Sequence, residues 1–264
     1  MNSKPSIAVH KFSSCDGCQL ALLNMGEALI TLATRVEIKH FAEAGVLDEN
    51  AEVDIAFIEG SIVTLHDTER IQQIRKNSRY LITMGACATS GGIQALKNLA
   101  QAPETWPEAI YPQPEFIDSL ERSEPIKDHV KVDFELWGCP INSRQISTAI
   151  SLMLEGAMPQ DEREKLCIEC KRSGQVCTLV TAGEPCLGPV TRLGCGALCP
   201  KFGRACYGCY GEAELSHHSA MARRLSGLGL VDAEVCRRFQ LIHPDPCLGL
   251  GEAVISSGKG ELND

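Results

Sequence analysis

Four cysteines (Cys15, Cys18, Cys87 and Cys139) are spread over the first half of the chain, and eight more crowd into the stretch from Cys167 to Cys209. Thiolates are ligands for soft metals, and an iron–sulfur cubane takes four of them. Twelve of the fourteen cysteines therefore divide into three sites of four, with none left over. The chemistry implied is one-electron transfer. Taken alone, Cys15-Asp16-Gly17-Cys18 could also mark a thioredoxin-like redox pair. Such a pair has no use for Cys87 and Cys139. Structural zinc stays as the alternative, since it also accepts four thiolates.

From Cys167 the residues between successive cysteines number 2, 6, 8, 8, 3, 6 and 2. The series is nearly a palindrome, as expected of two similar pockets built by facing halves of one small domain. Cys199-Pro200 matches the Cys-Pro that ends ligand runs in bacterial ferredoxins. Glycine and proline are dense here and long apolar periodicity is absent, so bound metal must supply folding free energy. Two zincs would serve that need as well. From Cys167 to Cys209 five basic and two acidic residues leave a net +3, in a chain of −9 overall. Cations there would offset anionic clusters, or be ordinary solvated side chains; the count does not separate the two.

The first set needs a scaffold that brings distant segments together. Ile7-Ala8-Val9, Val36-Glu37-Ile38, Val53–Ile58, Tyr80–Thr83 and Val132–Leu136 read as strands. Helical patterns run over about 19–32, 66–76, 91–100 and 142–154. The first of these is apolar on most sides, which requires a sheet below and either more core or another protein above. Alternation of this kind implies a mostly parallel, doubly wound α/β sheet, whose ligands sit beyond the carboxyl ends of the strands. Cys15 and Cys18 follow the first strand, Cys87 follows Tyr80–Thr83, and Cys139 follows Leu136. Glu59-Gly60-Ser61 closes another strand in the same way. Residues 101–129, rich in proline and acid, read as a surface loop.

Composition excludes other classes. With 44% hydrophobic and 22% charged residues the chain is an ordinary globular protein. A net charge of −9 without a basic run argues against a nucleic-acid surface. No segment reaches the ~20 apolar residues of a membrane span. Met1–Pro5 lacks the pattern of a secretory signal, so the expected compartment is the cytoplasm, where cysteines are metal ligands rather than disulfides.

Ser14–Leu20, Ile58–Ser61, Met84–Cys87 and Gly138-Cys139-Pro140 resemble the small subunit of [NiFe] hydrogenases. Gly183–Arg192, with Cys195, Cys199-Pro200, Cys206 and Cys209, is similar to the delta subunit of cytoplasmic bidirectional sulfhydrogenases. The likeness runs to about Gly211. It implies a flavodoxin-like domain over residues 1–156 holding a proximal [4Fe-4S] cluster on Cys15, Cys18, Cys87 and Cys139. A ferredoxin-like segment, 157–211, would hold two further [4Fe-4S] clusters on Cys167, Cys170, Cys177, Cys186, Cys195, Cys199, Cys206 and Cys209, in an allocation left open. A helical extension and polar tail would occupy 212–264. The resemblance further implies an oxidoreductase subunit that relays electrons between a large subunit bearing the nickel–iron site and the iron–sulfur and FAD/NAD(P) subunits of a heterotetramer. Polysulfide is a possible acceptor. The alternatives are a hydrogenase feeding heterodisulfide reductase and a zinc-stabilised binding module without redox function.

Two cysteines remain. Cys236 reads as an ordinary buried thiol on a helix. Cys247, in Asp245–Leu250, has no partner cysteine to complete a nickel motif. His217 and His218 read as a surface pair on a helix, and 256–264 as a frayed tail.

Overall fold

The computed structural model describes residues 4–100 and 105–244. Cys247 and the tail from 256 onward lie outside them. The chain divides into two compact units, 1–161 and 162–264.

In the first unit β1 (Ser6–Lys11), β2 (Glu37–Phe41), β3 (Val53–Glu59), β4 (Ser78–Met84) and β5 (Phe134–Leu136) form one sheet. Their order is β2-β1-β3-β4-β5 and every neighbouring pair is parallel. This is the flavodoxin-like doubly wound arrangement. Around it lie α1 (Gly17–Leu23), α2 (Glu27–Arg35), α3 (Leu65–Lys76), α4 (Gly85–Ser90), α5 (Trp106–Ile110) and α6 (Ser143–Leu154).

Successive strand side chains point to opposite faces, and both faces are covered. Ile7, Val9, Ile55, Phe57, Ile82 and Met84 pack with Leu22 of α1, Leu32 of α2 and Ile146 and Ile150 of α6. Ala8, Ala56, Ile58 and Leu81 pack on the other face with Ile71 and Ile74 of α3 and Ala88 of α4. Central strands buried on both sides must be nearly continuous apolar runs, which is why β3 reads Val-Asp-Ile-Ala-Phe-Ile. Reciprocal side-chain caps start two helices: Thr64 with Asp67 at α3, and Asn142 with Gln145 at α6.

Three expectations need correction. The single helix over 19–32 is two, because Gly26 adopts φ +58 and starts α2 afresh. Each half buries one stripe on the sheet and leaves residues such as Ile30, 69% exposed, on the outside. The last strand begins at Phe134 rather than Val132. The Asp133 carboxylate takes the Leu81 N–H at 2.8 Å and Arg75 at 2.6 Å, where strand pairing would otherwise continue. Residues 93–99 form a 3-10 segment, since Gly91 (φ +84) and Gly92 (φ +62) interrupt the α path. The loop expected at 101–129 is pinned at its end: Ile62 and Glu124 exchange backbone hydrogen bonds (2.9 and 3.0 Å), and Ile126 is fully buried.

The second unit has short helices α7 (Cys167–Arg172), α8 (Thr178–Thr181), α9 (Leu198–Lys201), α10 (His218–Ser226) and α11 (Asp232–Gln240). Leu187 and Val190 from the cysteine-rich stretch share a core with Met221, Leu225, Val235 and Phe239 of α10 and α11. A second small core gathers Leu166, Cys186, Ala197, Ala205 and Cys206. The cysteine-rich stretch therefore does bury apolar surface, supplied largely by α10 and α11.

Candidate metal centres

The ends of β1, β4 and β5 deliver the first four cysteines to one rim of the sheet. Cys15 lies between β1 and α1, and Cys18 is in the first turn of α1. Cys87 sits in α4, which follows β4 without a loop, and Cys139 follows β5. The backbone is drawn close around the sulfurs. A Cβ added to Gly17 would stand 3.4 Å from Cys15 Sγ, and one on Gly92 would stand 2.8 Å from Cys87 Sγ. A Cβ on Gly85 would overlap Cys18 Sγ. Ala86 N–H donates to the Gly138 carbonyl at 2.7 Å, tying the Cys87 turn to the Cys139 turn. Cys87 Sγ faces Gln94 Oε1 at 3.4 Å, and the same amide donates to Ser13 O at 2.6 Å.

Glu59, the last residue of β3, is 2% exposed. Its carboxylate accepts the Cys18 N–H at 2.9 Å and the Gln19 N–H at 3.3 Å. Burial pushes this carboxyl above its ordinary range, with those amides pulling the other way. Asp16, just before α1, adopts φ +64 and is held by Lys11 Nζ at 2.7 Å.

The thiols feel one another. Cys18 is raised by burial first, then by Glu59, with Cys87 and Cys139 adding. Cys87 is pushed up to about 11 by burial, with Cys139 and Cys15 contributing. Cys139 is raised by burial and by Cys15. Thiols that oppose one another's ionisation in this way become thiolates together only around a cationic group.

The second set repeats this in the second unit. Burial raises Cys167, with Cys186 and Cys177 adding. It pushes Cys170 up to about 11, with Cys167, Cys186, Cys195 and Cys177 adding. Cys195 is raised by burial, with Glu169 and Cys199 contributing. Cys206 is raised by burial, with Cys186 and Cys209 adding, while the Gly208 amide and Thr191 hydroxyl oppose. Backbone N–H groups point at sulfur: Cys206 N–H to Cys186 Sγ at 3.2 Å, and Gly208 N–H to Cys206 Sγ at 3.3 Å. All twelve cysteines are free thiols. Among the described residues, no three Cys, His, Asp or Glu side chains close around a point as ligands of one ion would. Twelve free thiols gathered on strand ends and tight turns are the soft donors that iron–sulfur clusters and zinc both take.

The sequence placed Glu59 at a strand end on this rim but gave it no role, and Glu169 was legible only as a charge. Cys236 is half-buried on α11 and distant in character from the ligand sets: burial and Asp232 raise it, and no other cysteine among the described residues does. His217 is exposed at the start of α10, but His218 is not a surface residue. Its ring packs edge-on to Phe239 at 5.7 Å and meets Glu212 at 3.4 Å.

Residues 15–153 match the family of the 20 kDa subunit of NADH ubiquinone oxidoreductase. Sulfhydrogenase 2 subunit delta of Pyrococcus furiosus is 31% identical over 234 residues, 89% of this chain and 97% of that protein. A vhu subunit of the F420-non-reducing hydrogenase of Methanocaldococcus jannaschii is 31% identical over 80% of this chain and 83% of its own length. A chain of an NAD+-reducing [NiFe]-hydrogenase, solved in the H2-reduced state, superposes with a TM-score of 0.55 at 28% identity, covering 60% of this chain and 95% of that one. No described helix is long and apolar enough to cross a membrane.

Proposed function

The chain belongs to the NADH ubiquinone oxidoreductase 20 kDa subunit family, as a small subunit of the [NiFe] hydrogenase kind, and from that we propose that it is the electron relay of a cytoplasmic hydrogenase. It is an oxidoreductase subunit. In this proposal it connects a large subunit holding nickel and iron with iron–sulfur and FAD/NAD(P) subunits, and holds three [4Fe-4S] clusters itself. When bound, such clusters accept and donate single electrons. The chain's own residues supply the thiolates, aim amide N–H groups at sulfur, and close backbone around the site. Reduction of polysulfide is a further activity suggested by the name of the Pyrococcus relative.

One observation carries the reading: three strand ends bring Cys15, Cys18, Cys87 and Cys139 to a single rim, where Cys87 and Cys139 act on Cys18 and Cys15 acts on Cys87 and Cys139. In the second unit the thiols influence one another across the whole stretch, Cys195 acting on Cys170 and Cys186 on Cys206, and we divide them into two sets by chain order. Cys167, Cys170, Cys177 and Cys186 would hold one cluster, and Cys195, Cys199, Cys206 and Cys209 the other.

Iron analysis and low-temperature spin resonance of anaerobic protein test this. The expected result is about twelve irons per chain and a nickel-bearing partner that co-purifies. Cys87→Ser should lose about four irons and keep the other eight. Colourless protein carrying zinc would refute the proposal.

A further inference from the structure

Glu169 lies on α7 between Cys167 and Cys170, one residue short of the second. A glutamate there would ordinarily be a solvated side chain on a short helix. Instead both of its oxygens are engaged by a different segment. Oε1 accepts the Gly194 N–H at 3.1 Å and Oε2 accepts the Ala197 N–H at 3.1 Å. Those two amides bracket Cys195.

The bracketed turn needs holding. Gly194, Gly196 and Ala197 all have positive φ, at +131°, +68° and +56°. Ala197 is a non-glycine residue in the left-handed region, where an L side chain crowds its own carbonyl. Such turns direct successive amides inward as a concave anion site. Ala197 is also fully buried, beside Leu166 and Cys186. A carboxylate close to several thiolates is repelled by them, so solvent attraction and charge balance alone would place Glu169 elsewhere.

Resting on the assignment of the eight cysteines to two clusters, we propose that Glu169 is a positioning residue that straps the Cys195 turn to the Cys167–Cys170 helix. The two ligand sets are thereby interlocked: a side chain from the helix of one holds the backbone of the other. Loss of the strap unseats the set it does not belong to in sequence.

The test uses the full chain, purified without oxygen, as Glu169→Gln. Gln keeps one acceptor but turns an N–H2 donor toward the second amide. Iron should fall from about twelve toward about eight per chain, and the spin-resonance signal lost should be the one that Cys195→Ser removes. The signal that Cys167→Ser removes should persist, as should the first-unit signal, which also certifies folding. Glu184→Gln deletes a charge from the same segment at an exposed position and should leave all iron bound. Amide exchange at Ala197 should quicken about tenfold or more in Glu169→Gln, a readout independent of iron. Full iron with unchanged signals and unchanged exchange would overturn the strap alone. So would loss of the Cys167-linked signal in place of the Cys195-linked one. Wild-type protein without iron would overturn the two-cluster assignment and the strap with it.

Discussion

Gly85→Ala isolates the close approach of backbone to sulfur from everything else at the first rim. Gly85 joins β4 to α4 at φ +81, and an added Cβ would overlap Cys18 Sγ and lie 3.3 Å from the Gly138 carbonyl. The backbone cannot retreat easily, because Ala86 N–H is bonded to that same carbonyl at 2.7 Å. A left-handed L residue costs about 1–2 kcal/mol. Turning the buried Cys18 side chain aside adds about 0.5–1.5 kcal/mol. The sum is roughly 1.5–3.5 kcal/mol, or a fall of roughly 3–14 °C in the melting of a unit this size. Displacing one of four thiols should also cut iron by about four per chain. Gly45→Ala is the matched control: it is left-handed at φ +79 and ψ +14, but nothing lies within 4 Å of its Cβ. It should lower stability modestly and keep all iron. Anaerobic iron analysis with thermal melting distinguishes the two variants. Gly85→Ala with full iron and an unaltered first-site spectrum would show that Cys18 does not occupy the place assigned to it.

Other consequences can be checked alongside. Glu59→Gln removes a negative charge and one of two amide acceptors beside Cys18, so the first site's reduction potential should rise. Redox titration reads this as an increased reduced fraction at fixed potential, tenfold for each ~59 mV, and an unmoved potential would refute it. His10 is buried against His40, ring centroids 4.6 Å apart, and its pKa is held down to about 3 by burial, His40 and Arg70. The unfolded chain takes up that proton near 6.5 while the folded chain does not. Stability is thus complete above 6.5 and falls as pH drops towards 3, by about 1.4 kcal/mol between pH 7.5 and 5.5. Among the described residues Nδ1 of His10 has no hydrogen-bond partner, so His10→Phe should remove this loss at little cost at pH 7.5; denaturant melts that keep the same pH slope would refute it.

The sheet was legible because parallel strands covered on both faces leave long apolar runs, as in β3 and β4, and because cysteines mark the ends of β1, β4 and β5. Helix continuity over 19–32 was misread because apolar content hides a break that one glycine's φ imposes. The start of β5 was misread because the Asp133 side chain takes the Leu81 N–H while the Asp133 N–H still donates to Leu81 O, and no periodicity reveals that. The contacts of Glu59 and Glu169 escaped for a related reason. Both partner backbone amides far away in sequence, Cys18 from 41 residues and Ala197 from 28, and main-chain amides have no sequence signature.

The two units share no topology, yet each solves the same electrostatic difficulty in the same way. A turn that carries thiolates must bend sharply, and here both turns use a non-glycine residue at positive φ, Asp16 in one and Ala197 in the other. Such turns expose amides pointing one way, and an unpaired buried amide costs about 1–3 kcal/mol. The sulfurs cannot take every one of those donors, since their positions answer to metal geometry. A glutamate arriving from another element, the end of β3 or the middle of α7, takes two at once through its two oxygens. The added negative charge disfavours neighbouring thiolates: burial raises Cys18 and Cys195 first, and Glu59 and Glu169 add to it. In the free chain those thiols stay protonated, and a metal that binds them must displace the protons. The same carboxylates that fix the turns therefore make the neighbouring cysteine harder to ionise, and what they contribute to each site is the geometry of its turn.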